Sequence, residues 1–138
     1  MYIQRTIDKY LLEWKNAPTH KPLLLRGARQ VGKSSAIRQL GRAFKYYIEV
    51  NFESRDDLKE IFEQLSDAHE VAKRLGMIFS KPIVPGETLL FLDEIQSCPE
   101  AIKRLWFFKE DFPELHVVAA GSLLEFALKD LSSFGVGR

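Results

Sequence analysis

The sequence predicts an α/β fold, a mostly parallel sheet with helices on both faces. Two observations carry this. Apolar strand-like runs alternate with helical patterns, in the order strand, helix, strand, helices, strand, helix, strand, helix. In addition, Gly27–Ser34, Asp93–Glu94 and Gly121–Ser122 are unusual polar clusters, and each falls at the C-terminal end of a predicted strand. Open α/β sheets bind their ligands there.

Each element has its own signal. From Tyr2 to Trp14 the apolar residues Ile3, Ile7, Tyr10, Leu11 and Trp14 recur at helical spacing. "NAPTHKP" closes that helix with a polar, proline-bearing loop. Leu23 to Arg26 is a short apolar run of the buried, parallel-sheet kind. Lys33 to Leu40 reads as a helix, with Gly41 near its C-terminal end. "KYYIEVNF" has the β-branched and aromatic content of a second strand. Ser54 and Asp67 are candidate N-caps for two further helices, the first with the stripe Leu58, Ile61, Phe62 and Leu65. Pro85-Gly86 marks a turn before a third strand, "TLLFLDE". Pro99 suits the first turn of a helix that shows Ile102, Leu105 and Trp106 on one side, with Lys109 as a candidate fourth member. "LHVVAAGS" is a fourth strand, "LLEFALKDLSS" a helix, and "FGVGR" follows. The expected division is a helix and linker over residues 1–20 and a core domain over 21–138.

The 138 residues suffice for one buried core. A net charge of +1 gives no electrostatic case for nucleic acid or an acidic membrane surface. A single cysteine, Cys98, excludes an internal disulfide and suits a reducing compartment. The charged "MYIQRTIDKYLLEWK" has no secretory apolar stretch, and no run has the length of a membrane helix. The expectation is a cytoplasmic protein without membrane partners.

Gly27-Ala28-Arg29-Gln30-Val31-Gly32-Lys33-Ser34 matches G-x-x-x-x-G-K-[ST] in full, with a strand before it and a helix after it. Glycines permit a wrapped loop whose N–H groups converge on phosphate oxygens. The following helix adds the positive end of its dipole. Lys33 would neutralise charge on the β- and γ-phosphates and Ser34 would ligate Mg²⁺. The predicted nucleotide-binding stretch thus runs from Gly27 through Ser34 to Ser35. The fold class narrows accordingly to a three-layer sandwich of the P-loop NTPase kind.

"LLFLDE" supplies the second half of the site. Asp93, at a strand end, suits a direct or water-mediated hold on Mg²⁺, offered from a strand neighbouring the loop. Glu94 is placed to polarise a water for attack on the γ-phosphate. Ser122 has two readings that stay open: a hydroxyl that senses the γ-phosphate, or an N-cap with Glu125 completing a capping box. His20, His69 and His116 lack metal-site spacing, and nothing marks Cys98 as a nucleophile. Trp106, Phe107, Phe108 and Phe112 read as helix packing plus a turn, with a partner surface as the alternative.

"LRGARQVGKS", "PGETLLFLDEIQ", "FFKEDFPELHVVAAGSLLE" and "FGVGR" together resemble the AAA+-type P-loop ATPases of bacteria and archaea. The nearest group is that of "AAA domain, ATP-binding" proteins, often followed by a C-terminal domain of unknown function. The blocks stand in the family's order across essentially the whole chain. The resemblance implies ATP binding, Mg²⁺ dependence, Asp93 as the Walker B acid, Glu94 as the catalytic glutamate and Ser122 as sensor 1. By analogy with AAA+-like rings, it makes Arg138 a candidate finger onto a neighbouring subunit's γ-phosphate. Family members continue past the "GR" into a fifth core strand beside the P-loop strand, so the expected domain is incomplete there and its sheet edge open.

The reading that follows is ATP hydrolysis with water as nucleophile. An interaction module that binds ATP without hydrolysing it is the rival, favoured by the absent elements as Glu94 favours hydrolysis. A small-molecule kinase would need arginines over the phosphates, and none follows Ser122 except Arg138. The partner classes left open are a second copy of the chain and a protein client.

Overall fold

The computed structural model describes residues 6–26 and 33–121. In chain order the elements are α1 (Thr6–Asn16), β1 (Leu23–Arg26), α2 (Lys33–Gly41), β2 (Tyr46–Asn51), α3 (Lys59–Gln64), α4 (Ala68–Phe79), β3 (Thr88–Asp93), α5 (Pro99–Asp111) and β4 (His116–Gly121). Two short 3-10 turns, Asp56–Leu58 and Ile95–Ser97, precede α3 and α5. The four strands form one sheet in the order β1-β4-β3-β2, and every pairing is parallel.

That order explains where the helices lie. The chain crosses from β1 at one side to β2 at the other, then steps back through β3 to β4. Parallel crossovers keep one hand, so reversing the direction of travel puts the helices on the opposite face. α2, from the outward crossing, packs with α1 on one face, where Leu11, Trp14, Ala36, Ile37 and Leu40 meet Leu89, Phe91, Val118 and Ala120. α3, α4 and α5, from the return, cover the other face, where Phe62, Val71, Leu75, Ile102, Leu105 and Phe108 meet Ile48, Val50, Leu90, Leu92, Val117 and Ala119. Both β3 and β4 are buried along their whole length, as central parallel strands must be.

Several local expectations change. α1 turns Tyr10 to solvent and buries Asp8 with Leu11 and Trp14, the last two packed with α2 against the sheet. Ser54 caps no helix. Asn51 Oδ1 instead accepts from the N–H groups of Glu53 and Ser54, and the chain enters α3 through the 3-10 turn. Asp67 does cap α4, accepting from the N–H groups of His69 and Glu70. The buried face of α5 is Ala101, Ile102, Leu105 and Phe108 rather than a row ending in Lys109. Lys109 instead lies over the Trp106 ring, 5.3 Å from its centroid. Among the described residues, β1 pairs only with β4. No helix of the described residues is long and apolar enough to cross a membrane.

Candidate nucleotide site

All four strands end on the same side of the sheet. Arg26 pairs with Gly121 at the ends of β1 and β4, and Asn51 pairs with Asp93 at the ends of β2 and β3. The alternation of side chains along β3 then fixes where the acid points. Leu89 and Phe91 face α2, so Asp93, two residues on, faces α2 as well. It meets Ser34 in the first turn of that helix, and the Ser34 hydroxyl donates to Asp93 Oδ2 over 3.5 Å. The acid therefore comes from two strands away, with β4 lying between β3 and β1, and not from the adjacent strand.

The Ser34–Asp93 separation is long for an O–H···O bond. Two adjacent oxygens on an octahedral Mg²⁺ at about 2.1 Å stand about 3 Å apart, so a small closure brings this pair to that spacing. The donor set, one hydroxyl and one carboxylate, is the hard-oxygen kind that Mg²⁺ takes. Asp93 is only 6% exposed. Burial pushes its carboxyl above the usual range, and the charges of Glu94 and Glu49 add to this, while the Glu94 N–H and Arg38 oppose it. A buried acid beside other acids gains most from a bound cation. The residues present thus fit Mg²⁺.

Glu94 follows with a left-handed backbone, φ 53° and ψ 46°. Its N–H donates to Asp93 Oδ1 at 2.9 Å, and its own Oε1 accepts from Gln96 Nε2 at 2.8 Å. Non-glycine residues in this backbone region are uncommon and concentrate at functional sites. Behind the pair, Arg38 of α2 holds Glu49 of β2 through two bonds of 3.0 and 2.9 Å, and the Tyr47 hydroxyl donates to Glu49 at 2.7 Å. Burial alone would raise the Glu49 carboxyl, but these donors outweigh it and hold it below the ordinary value. Gly41 gives the Tyr47 ring its place: a Cβ there would stand 2.6 Å from ring carbon Cδ1.

Ser34, Asp93 and Glu94 are thus brought to one corner of the sheet, with Ser35 exposed on the first turn of α2. Gly27, Ala28, Arg29, Gln30, Val31 and Gly32, the Lys33 side chain, Ser122 and Arg138 lie outside the described residues. The sequence reading gave no role to Gln96 or to the Arg38–Glu49–Tyr47 group. Gln96 carried a weak signal, two residues beyond the acidic pair, whereas Arg38 and Glu49 meet only through the fold. The structure also brings His20 and His116 together at the opposite end of β4, their rings stacked 3.6 Å apart. Among the described residues no group of histidine, cysteine and acidic side chains forms a metal cluster. Cys98 is buried at the start of α5, and burial pushes its thiol up, away from nucleophile chemistry. Phe108 and Phe112 belong to the core, with Trp106 and Phe107 packed at its margin.

The model of a family described as "AAA domain" matches residues 19–138. Among solved structures, the Walker-type ATPase of Pyrococcus abyssi aligns with a TM-score of 0.61 at 20% identity. That alignment covers 94% of this chain and 48% of the other, so the chain spans about half the length of that relative. At such identity the likeness is one of fold. No curated protein matches the chain.

Proposed function

From the premise that the chain belongs to the AAA domain family, with the ATPase-type nucleotide binding that this membership carries, we propose that it binds ATP with Mg²⁺ and hydrolyses it to ADP and phosphate. The observation that supports this most is the meeting of Ser34 and Asp93, 59 residues apart in sequence, at the strand ends. Ser34 and Asp93 would hold the metal, which when bound neutralises phosphate charge. The loop Gly27–Gly32 and Lys33 would bind the phosphates. Glu94 accepts a proton from water as the water oxygen bonds to the γ-phosphorus. The bond from that phosphorus to the β–γ bridging oxygen breaks, and ADP leaves with the electron pair. Ser122 and Arg138 take the sensor and in-trans roles the resemblance implies. A second copy of the chain or a protein client in the cytoplasm is the partner class of this reading.

The test is Glu94→Gln, with Mg·ATP affinity and turnover measured on one sample. The amide fits the space but accepts no proton. Affinity should stay within about twofold while turnover falls about 10²- to 10⁴-fold. Unchanged turnover removes Glu94 as the base. A parent that binds ATP and turns none over would be the binding-only interaction module instead.

A further inference from the structure

Gln96 joins the tips of the two central strands. It lies in the 3-10 turn Ile95–Ser97, directly after Glu94. A carboxylate only accepts, so the atom facing Glu94 Oε1 at 2.8 Å is the amide nitrogen. The amide oxygen is thereby turned the other way. It is buried, and no hydrogen-bond partner for it exists among the described residues. It abuts Gly121, the last residue of β4, where a Cβ would overlap Gln96 Oε1 and stand 3.2 Å from the Ile95 nitrogen. Glycine at 121 is what leaves room for the amide. An orphaned buried acceptor is costly, and a thioether of the same length would fill the space without that cost. The amide is thus explained by what its nitrogen does.

We propose that Gln96 is a positioning residue for Glu94: its amide, seated against Gly121, holds the carboxylate in the orientation from which it takes the proton of the attacking water. Glu94 needs such a restraint. Its left-handed backbone is disfavoured for a side-chain-bearing residue, and a carboxylate on a flexible stem is ineffective unless aimed. Gln96 also makes the aim of Glu94 depend on where β4 ends, because the amide is wedged between the two strand tips.

This inference rests on the hydrolysis reading, and the experiment separates the two. Gln96→Met keeps side-chain length and removes the N–H donor. Its kcat should fall about 10- to 100-fold, with KM for ATP and Mg·ATP affinity within about twofold of the parent. Placed in the Glu94→Gln background, it should lower the residual single-turnover rate no further, because it acts only through Glu94. Gln96→Asn retains the amide one methylene short. It should lose kcat similarly while melting at the parent temperature, which keeps the test valid if the methionine variant fails to fold. Parent-like kcat in either variant, or a full further loss in the Glu94→Gln background, overturns the proposal. An inactive Glu94→Gln beside an active Gln96→Met refutes the positioning role alone. An active Glu94→Gln refutes the hydrolysis mechanism and this proposal with it.

Discussion

Lowering the pH should loosen the end of the fold opposite the nucleotide site, through His116. This residue begins β4 and is 4% exposed. Its Nε2 donates to the Lys15 carbonyl over 3.1 Å, which leaves Nδ1 as the unprotonated nitrogen, buried and without a partner among the described residues. The His20 ring stacks on it at 3.6 Å, and the edges of Trp14 and Phe44 close the pocket. Burial lowers its pKa to about 4, with the charge of His20 second and that of Lys15 also lowering it, while the bond to the Lys15 carbonyl opposes them. His20 is lowered too, mainly by burial, with Glu114 opposing. The sign follows. Between pH 6.5 and 4 the unfolded chain binds a proton at His116 that the folded chain refuses, so stability falls as pH falls. At about 1.4 kcal/mol per pH unit, the full loss is about 3 kcal/mol, of which about 2 is gone by pH 5. Urea unfolding followed by tryptophan fluorescence at pH 7.5, 6 and 5 measures it. His116→Gln, which keeps a donor for the Lys15 carbonyl, should flatten the pH dependence by about 2 kcal/mol at pH 5. Parallel profiles for parent and variant would exclude His116 as the source of the pH dependence.

Gly41→Ala gains helix propensity but drives a methyl into the Tyr47 ring, which its hydroxyl bond to Glu49 holds in place, so a net loss of about 1–2 kcal/mol is expected in thermal unfolding. A variant as stable as the parent would show that the ring yields. Lys33→Ala removes the cation expected on the phosphates and should weaken ATP binding at least about 100-fold by titration, with the melting temperature of the nucleotide-free protein little changed.

The helix start that carries Ser34 and the acidic pair at the end of β3 were legible because their signals are local. Strand, glycine loop and helix are contiguous, and the acidic pair marks the end of β3 by a change from apolar to charged within one residue. That Asp93 faces Ser34 follows from the two-residue alternation of β3 once α2 is known to cover that face. The insertion of β4 between β1 and β3 was not legible, since strand order is set by crossovers and not by any strand's own composition. The stacking of His20 on His116, 96 positions away, is likewise a product of tertiary packing. Helical spacing groups Tyr10 with Leu11 and Trp14, yet Tyr10 is exposed, because a helical period locates a stripe but not its width. Ser54 caps no helix because the chain enters α3 through the 3-10 turn Asp56–Leu58, which places Arg55 and Leu58 at the helix starts.

On this reading the strand-end corner holding Ser34 and Asp93 binds ATP together with Mg²⁺. Calorimetric titration of the parent chain with ATP, in excess Mg²⁺ and again in EDTA, measures this binding and its metal dependence together. One site per chain is expected, with an affinity at least about tenfold weaker without the metal. No binding at millimolar ATP, or equal affinity in EDTA, would rule out a Mg·ATP site at this corner.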